Sequence, residues 1–197
     1  MQLIAPPLCG VCGEPCGSLE PACGRCLGAL AAAPAVPVAV AGVDRAWAAT
    51  AYEGTARRLV TSLKFGGRLA LAGVAAQAIA AAVGGDALCG ALVPVAPDPL
   101  RHRLRGFDPA EAITRALARE VQLPLRACLA RSHGPRQVGR SRSGRLAGPA
   151  VRAAIAPPPE AVLVDDVITT GATLSACARA LREAGSQRVL AVAFARA

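Results

Sequence analysis

The chain has 197 residues, 53% of them hydrophobic and only 3% aromatic, and it carries 22 basic against 13 acidic side chains. That length suits one domain with a small appendage, while the shortage of rings calls for a core of Ala, Val and Leu and excludes an extended stacking platform for bases. Residues 27–43 are apolar but interrupted by Pro34 and Pro37, and residues 1–8 lack the positive start of an export signal, so no transmembrane segment and a cytoplasmic location are expected.

Five of the eight cysteines fall within the first 26 residues. Cys9-x-x-Cys12 and Cys23-x-x-Cys26 stand ten residues apart, with Gly10, Gly13 and Gly24 where tight turns aim thiolates at a common centre. This is the ligand spacing of a four-Cys zinc ribbon. Disulfides are the competing reading of the same pairs, and they fit a reducing compartment poorly. Four thiolates leave no open coordination position and His102 and His133 are remote in sequence, so the Zn²⁺ is expected to be structural and to supply folding energy to the ribbon. Cys16 is either a bystander or a substitute ligand; Cys89, Cys128 and Cys177, isolated among apolar neighbours, read as small core residues. The predicted organisation is a ribbon over residues 1–30, an Ala/Pro linker over 31–44 and the main domain over 45–197.

Residues 45–52 read as a strand and Glu53-Gly54 as its turn, after which Thr55 caps a helix that buries Leu59, Val60 and Leu63 and ends at Lys64-Phe65-Gly66-Gly67. An alanine-rich helix over 69–83 closes at Gly84-Gly85. Residues 91–97 form the first core strand and run into a proline-rich loop, 108–120 form a helix with Ile113 and Leu117 inward, and 123–129 form a short strand.

Charge is concentrated in the next stretch. From residue 101 to 152, twelve arginines face only Asp108, Glu111 and Glu120, a net charge of +9, while the remainder balances ten basic against ten acidic residues. Arg101, Arg103 and Arg105 precede a Gly-Phe-Asp turn. Arg131, Arg136, Arg140, Arg142 and Arg145 fall among Gly134, Pro135, Gly139 and Gly144, and read as a basic loop. Such a loop suits a pyrophosphate with bound Mg²⁺, with Lys64 and Arg105 as further candidate contacts, or a nucleic-acid backbone; a solvated basic surface is the plain alternative.

The most informative stretch is residues 161–174. An apolar, β-branched run, Ala161-Val162-Leu163-Val164, ends on Asp165 and Asp166; the small residues Thr169, Thr170, Gly171, Ala172 and Thr173 follow, and Leu174, Ala178 and Leu181 then recur at helical spacing. Gly185 stops that helix and residues 189–194 resume a strand, completing a βαβ unit whose crevice lies at the carboxyl end of the first strand. Hydroxyls and backbone N–H groups at a helix N-terminus suit a monophosphate, and two acceptor-only carboxylates suit the vicinal hydroxyls of a ribose. Neither a Gly-x-x-x-x-Gly-Lys-Ser/Thr loop nor a Gly-x-Gly-x-x-Gly turn is present. Residues 161–173 resemble the phosphoribosyl pyrophosphate signature of type I phosphoribosyltransferases at every position.

Taken in order, the four-Cys ribbon, Leu63-Lys64-Phe65, Leu92-Val93-Pro94-Val95, Arg-x-Arg-Gly-Phe ending at Phe107, Gln-x-x-x-Ser-Arg from Gln137 to Arg142 and the ribose-phosphate clamp resemble the ComF family of competence-associated proteins. The resemblance implies an α/β fold, a type I phosphoribosyltransferase-like parallel sheet flanked by helices, with Asp165 and Asp166 as the catalytic and ribose-holding pair and phosphoribosyl pyrophosphate with Mg²⁺ as the ligand. It also implies a role in natural competence, with incoming single-stranded DNA and a helicase-like protein as partners. A working phosphoribosyltransferase of nucleotide metabolism or salvage is the alternative. The chain departs from the family pattern at Asp108, Pro109, Arg140, Gly144 and Gly148, all on the side expected to face an acceptor.

Overall fold

A computed structural model describes residues 7–16, 20–31, 33, 35–84, 87–131 and 149–197. The near-continuous apolar runs of the sequence become the centre of a five-stranded sheet ordered β1-β2-β7-β6-β3, comprising β1 (Val36–Val38), β2 (Arg45–Ala51), β3 (Ala91–Pro94), β6 (Glu160–Ile168) and β7 (Arg188–Arg196). The β2–β7, β7–β6 and β6–β3 pairs are parallel, and only β1 runs antiparallel, against β2. Strands inside a parallel sheet are covered on both faces, which is why residues 161–164 of β6 and 189–195 of β7 are apolar throughout. The fold is thus the expected α/β type.

Side chains alternate across the sheet with a period of two. Val162 and Val164 of β6, with Leu190, Val192 and Phe194 of β7, join one buried cluster with α2 (Gly54–Gly66), α3 (Leu71–Val83) and α5 (Pro109–Glu120). Leu163 of β6, with Val189, Ala191 and Ala193 of β7, joins a second cluster against α6 (Ala172–Glu183). Ile113 and Leu117 of α5 are fully buried, as the helical spacing predicts.

Four local features differ from the sequence reading. Thr55 is not the cap of α2: Glu53 holds that position with extended backbone, and the Thr55 hydroxyl accepts from Arg58 Nη2 at 3.2 Å. Residues 123–129 make no continuous strand. Only Leu125 bridges to Leu92, because Pro124 has no N–H with which to extend a ladder. The strand proper is β4 (Leu129–Arg131), antiparallel to β5 (Val151–Ala153). Residues 99–105, expected as loop, form a helix, α4 (Pro99–Arg105): Asp98 accepts from the N–H groups of Leu100 and Arg101, Pro99 opens the first turn, and Gly106 closes the last at φ 75°. Within the stretch read as a linker, Val36–Val38 pairs with β2 as the sheet's edge.

The cysteine-rich segment is docked on the main domain. Its helix α1 (Gly24–Ala31) meets α2 and α3, and Cys9, Val11, Ala22, Cys26 and Leu30 join the cluster that contains Leu59, Leu63 and Leu71. Arg68 Nη1 donates to the Cys9 carbonyl at 3.1 Å. Gly10 is required by close approach, since a Cβ there would meet the Pro21 carbonyl at 2.6 Å and Leu71 at 3.1 Å. No helix among the described residues is long and apolar enough to cross a membrane.

Candidate functional site

The carboxyl ends of the strands open into a cleft of about 310 Å³. Strand β6 delivers Asp165 and Asp166 to it. The alternation that sends Leu163 and Val164 to opposite faces sends these adjacent carboxylates to opposite faces as well. Asp166 turns toward α2, where Lys64 Nζ lies 2.7 Å from its Oδ2. Asp165 turns toward α6 and also lines the small hollow formed by residues 167–174; its Oδ1 accepts from the Asp166 N–H at 2.8 Å. Burial, and then the negative charge of Asp166, push the Asp165 carboxyl well above the usual carboxylate range, with Lys64 partly offsetting them.

The loop after β6 has the geometry of an anion cradle. Gly171 occupies the cap of α6 at φ 74°, and a Cβ there would meet Val40 Cγ2 in ordinary contact at 3.4 Å. The Thr170 hydroxyl accepts from the Ala172 N–H at 3.3 Å. Thr169, Thr170 and Thr173 surround a hollow onto which the first turn of α6 brings its N–H groups. Arg196, at the end of β7, braces the loop by donating from Nη1 to the carbonyls of Ile168 (3.2 Å), Thr169 and Ala197.

Helix α4 forms the opposite wall. Arg101, His102 and Arg105 face the cleft at helical spacing, whereas Arg103 does not line it. Arg131 reaches in from β4, 3.3 Å from Asp98 and donating to the Ala96 carbonyl at 3.4 Å. The N–H of Arg101, then the nearby Arg131, hold the Asp98 carboxyl below its ordinary value against the effect of burial. Asp108 caps α5 by accepting from the Glu111 N–H at 3.0 Å, and burial raises its carboxyl.

The structure therefore brings Lys64, Arg105, Asp165, Asp166, Thr169 and Thr173 to one cleft, with Thr170, Gly171 and Ala172 lining the adjoining hollow. Arg136, Arg140 and Arg142 lie outside the described residues. Sequence reasoning missed Asp98, Arg101, His102 and Arg196 as members of this region. The signal for the first three was present in the Asp98-Pro99 pair and Gly106, which cap a helix of about two turns.

At the other end of the chain, the sulfur atoms of Cys9, Cys12, Cys23 and Cys26 lie within 4.8 Å of one another. Cys12 and Cys23 are 3.8 Å apart and Cys9 and Cys26 4.0 Å, close to the edge of about 3.8 Å that four sulfurs at ~2.3 Å from a central zinc would have. Cys9 Sγ accepts from the N–H groups of Val11, Cys12 and Cys23 at 3.2–3.5 Å. Burial opposes charge on that sulfur, but the backbone donors prevail and lower its thiol to about 6. Burial and the three neighbouring sulfurs push Cys26 up to about 12. A divalent cation removes that mutual penalty, so the four residues fit a metal such as zinc. Cys16 is buried and is not one of the four. Cys128 and Cys177 are fully buried, as expected, but Cys89 is only half-buried at the rim of the core, accepting from Arg188 Nη1 at 3.4 Å.

Residues 106–197 match the family model of the phosphoribosyl transferase domain. This region is thus similar to a phosphoribosyl transferase domain, and β2 and β3, which precede it, belong to the same sheet as its β6 and β7. No curated protein matches the chain.

Proposed function

We propose that the chain binds phosphoribosyl pyrophosphate, or another ligand carrying ribose 5-phosphate, in the cleft at the end of β6. The observation that supports this most is the succession along one cleft of the threonine loop, the two carboxylates and a cationic wall. Thr169 to Thr173 offer hydroxyl and N–H donors to the 5-phosphate. Asp165 and Asp166 offer acceptors to the ribose hydroxyls. Arg131, reaching in from β4, stands ready for the pyrophosphate, and Lys64, Arg101 and Arg105 make the rest of the cleft cationic. Mg²⁺, when bound with the ligand, supplies charge to the pyrophosphate. Zn²⁺ at the cysteine cluster has a structural part in this reading.

The four-Cys cluster and the phosphoribosyltransferase-type domain in one chain support the narrower reading of a ComF-like protein, cytoplasmic and engaged in natural competence. Its partners would be incoming single-stranded DNA and a helicase-like protein, and the excess of arginines over residues 101–152 supports the first of these. Intact acids and an intact threonine loop support the other reading, a phosphoribosyltransferase of nucleotide metabolism or salvage. There the chain's own work is positioning: carboxylates orient the ribose while cations stabilise the departing pyrophosphate.

Calorimetry with phosphoribosyl pyrophosphate and Mg²⁺ tests the binding reading. Wild type binds; Asp165→Asn with Asp166→Asn loses about 1.5–3 kcal/mol for each charge-assisted hydrogen bond removed. Equal affinity in the double variant, with the fold intact by circular dichroism, refutes it. For the DNA reading, Arg136, Arg140 and Arg142 replaced by Ala should flatten the log–log salt dependence of single-strand binding by about 2 if all three touch phosphate. If the same variant loses only phosphoribosyl pyrophosphate, those arginines serve the pyrophosphate.

A further inference from the structure

Beside the cleft lies a second groove of about 440 Å³, and the two share Lys64, Arg101, Arg105 and Phe107. Its character is unusual for a solvent-facing surface. Phe65 is 74% exposed and Leu104 78% exposed, and both line it. Burying such side chains is favourable, and a chain with three phenylalanines places one of them here in the open. The Arg105 guanidinium lies over the Phe65 ring, 5.0 Å from its centroid. No carboxylate lines the groove, and among the described residues no acid lies at ion-pair distance from Arg101 or Arg105, whereas Lys64 and Arg131 are both paired. An exposed ring with a guanidinium over one face and a second cation in the same groove suits a planar molecule that carries negative charge.

The position says what such a molecule would do. An acceptor that displaces pyrophosphate approaches the anomeric carbon from the side opposite the leaving group. Arg131 enters the cleft from β4, whose Leu129 packs in the α6-side cluster; Phe65 stands on α2, on the other side of the sheet. The two sides are those to which Asp165 and Asp166 turn.

We propose that the Phe65–Arg105 groove is the acceptor subsite and that it takes a planar aromatic carboxylate bearing a nucleophilic nitrogen, rather than a neutral base. The proposal rests on the phosphoribosyl pyrophosphate reading of the neighbouring cleft. In the transfer, the acceptor nitrogen forms a bond to the anomeric carbon as the carbon–oxygen bond to pyrophosphate breaks. The bonding pair leaves with pyrophosphate and the nitrogen's proton passes to water. Arg131 serves the leaving group, to which Mg²⁺ bound with the ligand would add positive charge, and Arg105 serves the acceptor's carboxylate.

The test is fluorescence titration of the full chain with 2-aminobenzoate, an intrinsically fluorescent probe, in the presence of phosphoribosyl pyrophosphate and Mg²⁺, whose own binding is followed by calorimetry. Saturable binding is expected, weakened roughly tenfold or more by Phe65→Ala, by Arg105→Gln and by exchanging the probe for neutral 2-aminobenzamide, as loss of a charge-assisted or stacked contact requires. Phe65→Ala should leave calorimetric binding of phosphoribosyl pyrophosphate as in wild type. Equal affinity for the neutral probe overturns the anionic class, and equal affinity in both variants overturns the location. No probe binding to a wild type that does bind phosphoribosyl pyrophosphate overturns the proposal alone and leaves the face to a macromolecular partner. Failure of phosphoribosyl pyrophosphate itself to bind overturns the underlying reading and this proposal with it.

Discussion

Lys64 Nζ sits 2.7 Å from Asp166 Oδ2, with the two side chains 21% and 11% exposed, and this ion pair ties the last turn of α2 to the carboxyl end of β6. A pair so far removed from water is held by geometry more than by net energy, but deleting one partner leaves the other buried and uncompensated. Lys64→Met should therefore destabilise the protein by about 2 kcal/mol. Urea denaturation measures it, and in an Asp166→Asn background the same substitution should cost much less. An unchanged midpoint for Lys64→Met alone would mean that the pair is open in solution.

Asp165 sets the sign of a pH effect. Its carboxyl is raised above the ordinary range by burial and then by Asp166, so the folded state keeps the proton to higher pH than the unfolded chain does. Stability is then fully present below the unfolded value of about 4 and is lost as pH rises through the folded value. Asp165→Asn removes that loss. The variant should melt higher than wild type at pH 7 and show a shallower decline in melting temperature from acid to neutral pH; a residual slope remains, because burial shifts Asp108 in the same direction. A variant that melts lower than wild type at pH 7 would contradict this.

The cysteine cluster should hold one zinc ion per chain by elemental analysis. Cys9→Ser removes a ligand whose sulfur also accepts three backbone N–H groups, so it should abolish stoichiometric metal. Cys16→Ala should keep it, since Cys16 lies outside the four-sulfur group. Because α1 and Cys9 pack on α2, α3 and Arg68, chelation should lower the melting temperature of the whole chain in one transition. Two separate transitions would mean that the segment is energetically independent.

Gly171 joins stability to ligand binding. At φ 74° and with Val40 Cγ2 3.4 Å from the site of a Cβ, Gly171→Ala should cost about 1–2 kcal/mol in the left-handed region. It should also weaken phosphoribosyl pyrophosphate by disturbing the N–H groups at the start of α6. Thermal melting and calorimetry on the one variant read both effects, and a variant equal to wild type in both assays would place the phosphate elsewhere.

Much of this architecture was legible residue by residue. The run Val162-Leu163-Val164, the acids after it, the small-residue loop and the spacing of Leu174, Ala178 and Leu181 define a strand, a loop and a helix by local rules alone: side-chain period, capping and steric size. The Cys9–Cys12 and Cys23–Cys26 spacings define a four-sulfur centre for the same reason, since the first pair is set by a turn and the second by the first turn of α1. What tertiary structure decided are the relationships between segments distant in sequence. It paired Lys64 with Asp166, aimed the two adjacent aspartates to opposite faces, brought Arg196 under the loop, docked Cys9 against Arg68 and set Phe65 beside Arg105. Such contacts follow from which helix packs on which face of the sheet, and that choice is made by the summed burial of two apolar clusters rather than by any motif.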